Sequence, residues 1–131
     1  MRLLLDTHML LWALTGDELL PADARALIAD PDNPLFVSAA SIWEIAIKHR
    51  LQRGSPNDMP ISGAEALDHC RRAGYAILPI TGAHAAAVDA LPPHHADPFD
   101  RMLVAQAISE PLRLITHDAR LANYGDMVLL T

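Results

Sequence analysis

The 131-residue chain has one cysteine, Cys70, and one lysine, Lys48. A lone cysteine cannot form an internal disulfide, which fits a reducing compartment. Cys70 has no activating neighbour beyond Arg71 and Arg72, so it reads as inert. Aromatic residues make up only 5% of the chain. Its two tryptophans, Trp12 and Trp43, read as core residues rather than base-stacking platforms. No apolar run approaches the roughly 18 residues of a membrane span. No basic-then-apolar leader precedes the first structured segment, so a secretory signal is not expected. The expected location is the cytoplasm, with no membrane contact. Positive charge is also scarce: 10 Lys and Arg stand against 16 Asp and Glu, a net charge of −6. Such a chain has no broad electrostatic grip on nucleic acid. A nucleic-acid enzyme that works through bound cations remains open.

Apolar residues are abundant, at 51%. This is enough for a real core and excludes a disordered chain. The length suits one domain spanning residues 1–131. Short apolar runs alternate with helical patterns. Strands are expected at Arg2 to Leu5, Leu35 to Val37, Tyr75 to Ile80, Leu112 to Thr116 and Met127 to Leu130. Pro79 marks an edge or a strand end. Helices are expected at Met9 to Leu14, Pro21 to Asp30, from Ser38 or Ser41 to about Leu51, Ala64 to Ala73, Ala83 to Leu91, Pro98 to Ser109 and Asp118 to Tyr124. Gln52 to Ser62, with Gly54, Pro56 and Pro60, is the longest loop. This alternation predicts an α/β fold, a parallel sheet with helices on both faces.

Ligands of such sheets collect outside the carboxyl ends of the strands. Asp6 follows the first strand directly, and Asp118 lies two residues after Thr116 at the end of the fourth. Each could instead simply cap the helix that follows it. Asp97, before Pro98, has the makings of an N-cap. Asp100 then lies in the first turn, on a face shared with Leu103, Val104, Ala107 and Ile108, where an unpaired carboxylate costs several kcal/mol. Ser41, Glu44 and Lys48 form one polar strip on an otherwise apolar helix, facing either solvent or a cleft. An exposed Glu44–Lys48 pair would contribute only about 0.2–0.5 kcal/mol. His8, His94, His95 and His117 lie beside the acidic positions without the spacing of a zinc site, and read as loop or substrate-contact residues. Asp and Glu side chains without His or Cys ligands favour hard cations such as magnesium or manganese.

Four segments occur in order: Leu3-Leu4-Leu5-Asp6-Thr7-His8, Ser38-Ala39-Ala40-Ser41-Ile42-Trp43-Glu44-Ile45-Ala46, Asp97-Pro98-Phe99-Asp100-Arg101-Met102-Leu103-Val104-Ala105-Gln106-Ala107, and Leu114-Ile115-Thr116-His117-Asp118. Together they resemble the PIN-domain family and, within it, the VapC toxins of toxin–antitoxin pairs. The resemblance covers nearly the whole chain. It implies a PIN-like three-layer sandwich with a short, mostly parallel sheet. It implies a metal-dependent endoribonuclease using Mg2+ or Mn2+, whose acidic quartet is Asp6, Glu44, Asp100 and Asp118, with Asp6 and Asp100 as the principal ligands. It further implies cleavage of RNA phosphodiesters by in-line attack of water, products with a 5′-phosphate and a 3′-hydroxyl, a homodimer and a VapB-type antitoxin. Many members carry Thr-Arg-Asp where this chain has Thr116-His117-Asp118, so a phosphate-facing arginine is either missing here or supplied by Arg120 or Arg101. No lysine is placed by these motifs to neutralise the quartet. A haloacid-dehalogenase phosphatase or a response-regulator receiver would need further acids near the first strand and a late lysine, which the chain lacks. The alternative from another class is a PIN scaffold that binds RNA or a partner without cutting.

Overall fold

A computed structural model describes residues 1–131. Five strands form one sheet in the order β3-β2-β1-β4-β5, where β1 is Leu3–Leu5, β2 Leu35–Ser38, β3 Ala76–Leu78, β4 Arg113–Thr116 and β5 Val128–Leu130. Every pairing is parallel, so the mostly parallel sheet expected from sequence is wholly parallel. The helices are α1 (Thr7–Thr15), α2 (Ala22–Ala29), α3 (Ala39–Arg50), α4 (Gly63–Ala73), α5 (Gly82–Ala87) and α6 (Pro98–Ser109). The expected Ala83–Leu91 helix ends early and continues as a 3-10 turn, and Ala119–Tyr124 is likewise 3-10. Residue Pro79 falls just past β3, which is the edge strand. No helix is long and apolar enough to cross a membrane.

Alternation along β1 divides the core. Leu3 and Leu5 join Met9, Leu10, Ala24, Ile45, Ala66 and Cys70 in the cluster under α1 to α4. Leu4 points to the other face and packs with Leu103, Val104 and Ala107 of α6 and with Leu114 and Leu121. Both faces of the central strand are thus sealed, as an all-parallel sheet requires. The chain enters β1 beside β2 and β4, and these lead to helices on opposite faces. The crevice at the carboxyl ends of β1 and β4 is the switch point at which such sheets bind ligands. Asp6 and Asp118 stand at its two sides.

One tryptophan departs from the sequence reading. Trp43 is 59% exposed, not core, while Trp12 packs against the core edge. The cause is the orientation of α3. Its polar strip turns inward, burying Ser41 and Glu44 beside Ala40 and Ile45, so the apolar side carrying Trp43 and Ile47 is left facing solvent.

Helices α3 and α4 approach closely at Gly63. A Cβ added there would stand 2.8 Å from the Ala46 Cβ, a contact with no flexible end to give way. Gly63→Ala should therefore destabilise the fold by about 1–3 kcal/mol through overpacking, read as a lower denaturant midpoint. An unchanged midpoint would show that the two helices separate freely.

Candidate active site

Each acidic residue reaches the crevice from a different local structure. Asp6 is the N-cap of α1. Its Oδ1 accepts from the Met9 amide at 2.8 Å, and its Oδ2 accepts from the Thr116 hydroxyl. The carboxyl is nearly sealed from water, and burial pushes its pKa up against the pull of those donors and of His8; the charge of Asp118 adds to the rise. Thr116 ties the two strand ends together, because its oxygen also accepts from the Asp118 amide at 3.0 Å.

Glu44 is 4% exposed, so the surface-pair reading of this residue does not hold. The pair itself does form: Lys48 Nζ donates to Oε2 at 2.7 Å. The Thr7 hydroxyl donates to Oε1 at 2.8 Å and lies 3.1 Å from the Ser41 hydroxyl. Lys48 is thus placed to neutralise one member of the quartet, contrary to the expectation that no lysine would.

Asp118 caps the Ala119–Tyr124 turn and is ringed by donors. Its Oδ1 accepts from the Arg120 amide and Nε at 3.0 and 3.1 Å. Its Oδ2 accepts from Arg120 Nη2 and His95 Nε2, both at 2.9 Å. The Arg120 guanidinium holds the carboxyl well below the usual carboxylate range.

Asp100 differs from the other three. Asp97 caps α6 by accepting from the Phe99 and Asp100 amides at 2.8 and 3.1 Å, as the sequence led one to expect, and this sets the Asp100 side chain into the crevice. The Asp100 carboxylate is 22% exposed and accepts none of the hydrogen bonds that hold its neighbours; His95 Nε2 stands 3.3 Å from it. Burial, then the charges of Asp97 and Asp6, raise its pKa to about 7, with Glu44 adding to the rise and His95 opposing it. Asp6 and Glu44 are thus close enough to act electrostatically on Asp100, and Asp118 on Asp6.

His95 was expected only as a loop or substrate-contact residue, and its grouping with two of the acids was not foreseen. It is buried, and its ligand atom and those of Asp100 and Asp118 lie within 4.8 Å of one another. Nothing in the spacing of residues 95, 100 and 118 announces this, since the fold alone brings them together. Thr7 and Thr116 carried a weak signal, as hydroxyl residues directly beside Asp6 and at the end of β4. Arg101 is not available to a phosphate. Its guanidinium donates to the carbonyls of Pro92 and Val88 at 3.1 and 3.2 Å and to the Tyr124 hydroxyl at 3.1 Å, clamping the loop before α6. Arg120, 68% exposed, remains as the cation at the crevice. Beside it opens a cleft of about 260 Å³ lined by Asp6, His8, Trp12, His117 and Asp118. Cys70 is buried and burial pushes its thiol up to about 11, which makes it inert. Oxygen donors of this kind suit a hard divalent cation better than a soft one.

The pKa of Asp100 fixes a pH dependence. Between about pH 4 and pH 7 the folded chain keeps a proton that the unfolded chain has released, so stability falls as pH rises through that window; Asp6 acts in the same direction. Without metal, Asp100→Asn should melt higher than the wild type at pH 8, with the difference shrinking toward pH 5. Melting curves in chelator across this range provide the check, and a variant that melts lower at pH 8 would contradict the repulsion.

Known proteins carry the same architecture. Ribonuclease VapC16 of Mycobacterium tuberculosis is 39% identical over 84 residues, a match covering 56% of this chain and 58% of that protein, so the chain spans less than two thirds of that relative. The fold is similar to VapBC2 from Rickettsia felis, solved bound to a DNA fragment from its promoter, at TM-score 0.68 and 14% identity over 100% of this chain and 98% of that one. It is also similar to a toxin–antitoxin complex from Klebsiella pneumoniae, at TM-score 0.61 and 21% identity over 96% and 94% of the two chains. The PIN domain family model matches residues 3–127, nearly the whole sheet and all six helices, and the chain belongs to the PIN domain family.

Proposed function

We propose that the chain is a metal-dependent endoribonuclease, the toxin of a VapBC-type toxin–antitoxin pair, with Asp6, Glu44, Asp100 and Asp118 as its catalytic and metal-binding residues. The observation that carries this reading is the unsatisfied carboxylate of Asp100. It stands among three further acids at the switch point of the sheet, holding a proton to about pH 7 where a cation would serve instead. The ribonuclease identity of the 39%-identical relative supports the reaction class.

The residues present fit Mg2+ or Mn2+. Asp6 and Asp100 are the principal ligands: Asp100 accepts no protein hydrogen bond, and Asp6 accepts only from the neutral Met9 amide and Thr116 hydroxyl, so neither has its charge met by a protein cation. Glu44 and Asp118 already accept from Lys48 and from Arg120 and His95, so they act through water. When bound, such an ion supplies positive charge that draws phosphate to an acidic site and offsets the charge that develops as water attacks the phosphodiester. The hydroxyls of Thr116 and Thr7 donate to Asp6 and Glu44 and orient their carboxylates. Arg120, exposed over Asp118, is positioned to face a phosphate oxygen.

The partner in this reading is a VapB-type antitoxin, as in the complexes whose fold the chain shares, and the toxin itself is a homodimer. Trp43, Ile47 and Leu51 succeed one another at one-turn spacing along α3 and into its cap, all exposed, beside the Gln52–Ser62 loop. They offer the apolar contacts of such a partner. An Arg side chain from the partner could pair with the quartet and block it.

Cleavage of RNA should require Mg2+ or Mn2+ and stop in chelator. Asp6→Asn and Asp100→Asn should each lower it by about 100-fold or more while the fold is kept, measured by initial rates on a labelled RNA. Asp97→Asn should retain stability and much of the activity, since Asn caps about as well as Asp. If no metal supports cleavage yet RNA or a partner still binds, the chain is a binding module instead. Cells expressing the chain alone should grow poorly and be rescued by its antitoxin. Replacing the antitoxin's basic residue by Ala should weaken inhibition more than binding.

A further inference from the structure

His95 lies with two carboxylates in a grouping that could be read as a mixed nitrogen and oxygen metal site. Its hydrogen bonds point elsewhere. The Asp97 backbone amide, which can only donate, donates to His95 Nδ1 at 3.0 Å. Nδ1 therefore carries its lone pair, and the ring proton sits on Nε2. That Nε2–H donates to Asp118 Oδ2 at 2.9 Å and stands 3.3 Å from Asp100 Oδ2.

A histidine that binds a cation through Nε2 needs its remaining proton on Nδ1. Here that proton would meet the Asp97 N–H head-on. The ring cannot simply turn to escape. The His95 amide donates to the Tyr124 hydroxyl at 3.1 Å, its carbonyl lies within reach of Arg101, and Asp97 is committed to capping α6. The side chain is 4% exposed, so no water takes up the slack.

We propose that His95 is a positioning residue and not a metal ligand: its Nε2–H orients the carboxylate of Asp118 beside Asp100, and leaves the cation a site made wholly of oxygen. This inference rests on the reading of the acidic quartet as a divalent-cation site. The arrangement resembles the outer partners that orient ligating groups in metal proteins, whose loss typically weakens metal binding by about 10–100-fold. The clamp also explains why the loop from Pro92 to Asp97 is held so firmly by Arg101 and Tyr124. The loop carries the ring that sets the spacing of two acids on separate elements.

Three measurements on the full chain decide the matter. Nitrogen NMR of the imidazole ring, on metal-free protein and in Mg2+, should show the Nε2–H tautomer in both. Pulsed EPR of the Mn2+-loaded protein should show no directly coordinated nitrogen. By calorimetry, His95→Ala should bind Mg2+ about 10–100-fold more weakly, and His95→Gln, whose amide can still donate to Asp118, should recover most of the loss. Melting curves confirm that each variant is folded; if the Ala variant is not, the Gln variant and the two spectroscopic readouts stand alone. An Nδ1–H tautomer, a coordinated imidazole nitrogen, or wild-type Mg2+ affinity in a folded His95→Ala would overturn the assignment. Failure of the wild type to bind either ion would instead overturn the cation site itself, and the tautomer of the metal-free protein keeps the two failures apart.

Discussion

Four carboxylates crowded at one end of a parallel sheet are the constraint around which the rest of this structure is arranged. Like charges brought together with little water raise one another's pKa, and each residue meets that cost differently. Glu44 is balanced by the single lysine of the chain, and Asp118 by Arg120 and His95. Asp6, as deeply buried as Glu44, leans on the neutral Met9 amide and Thr116 hydroxyl. Asp100 alone is left without a donor that satisfies it. In the proposed reading, the imbalance is what a bound cation would relieve; without metal it makes the protein less stable as pH rises toward 7.

The fold places this cluster economically. Both neighbours of β1 run parallel to it, so the segments following β1 and β4 must emerge on the same edge. The three leucines of β1 are buried on both faces, which leaves Asp6 no freedom to slide relative to Asp118. Glu44 comes from a helix that turns its polar strip inward, and the consequence appears on the outside as the exposed row of Trp43, Ile47 and Leu51. Site and outer apolar face are thus two results of a single helix rotation, which couples the catalytic reading to the expectation of a protein partner.

Much of this was legible in the residues. Strand and helix periodicity located all five strands and the main helices, because apolar spacing is a local property that tertiary packing reinforces here. Asp6 and Asp118 were visible as acids at strand ends, and Asp97 as a cap from the proline after it. Asp100 was visible from its apolar face. Glu44 was not settled by its helical wheel, since a polar strip facing water and one facing a cleft look the same in sequence. Trp43 was misplaced for that same reason. His95 was legible only as a histidine beside the acids; its contact with Asp118 was not, because that depends on a backbone amide two residues away and on an acid brought in by another strand. The fate of Arg101 was equally hidden: clamping of carbonyls by a guanidinium leaves no mark on composition or spacing.

The central claim is that the quartet forms one divalent-cation site, with Asp6 and Asp100 at its centre. Crystals soaked in Mn2+ and measured for anomalous scattering test it directly. The account expects one strong peak in the crevice between β1 and β4, within coordination distance of the Asp6 and Asp100 carboxylates and out of contact with His95 Nε2. A crevice without a peak, or an ion bound elsewhere on the chain, would contradict it.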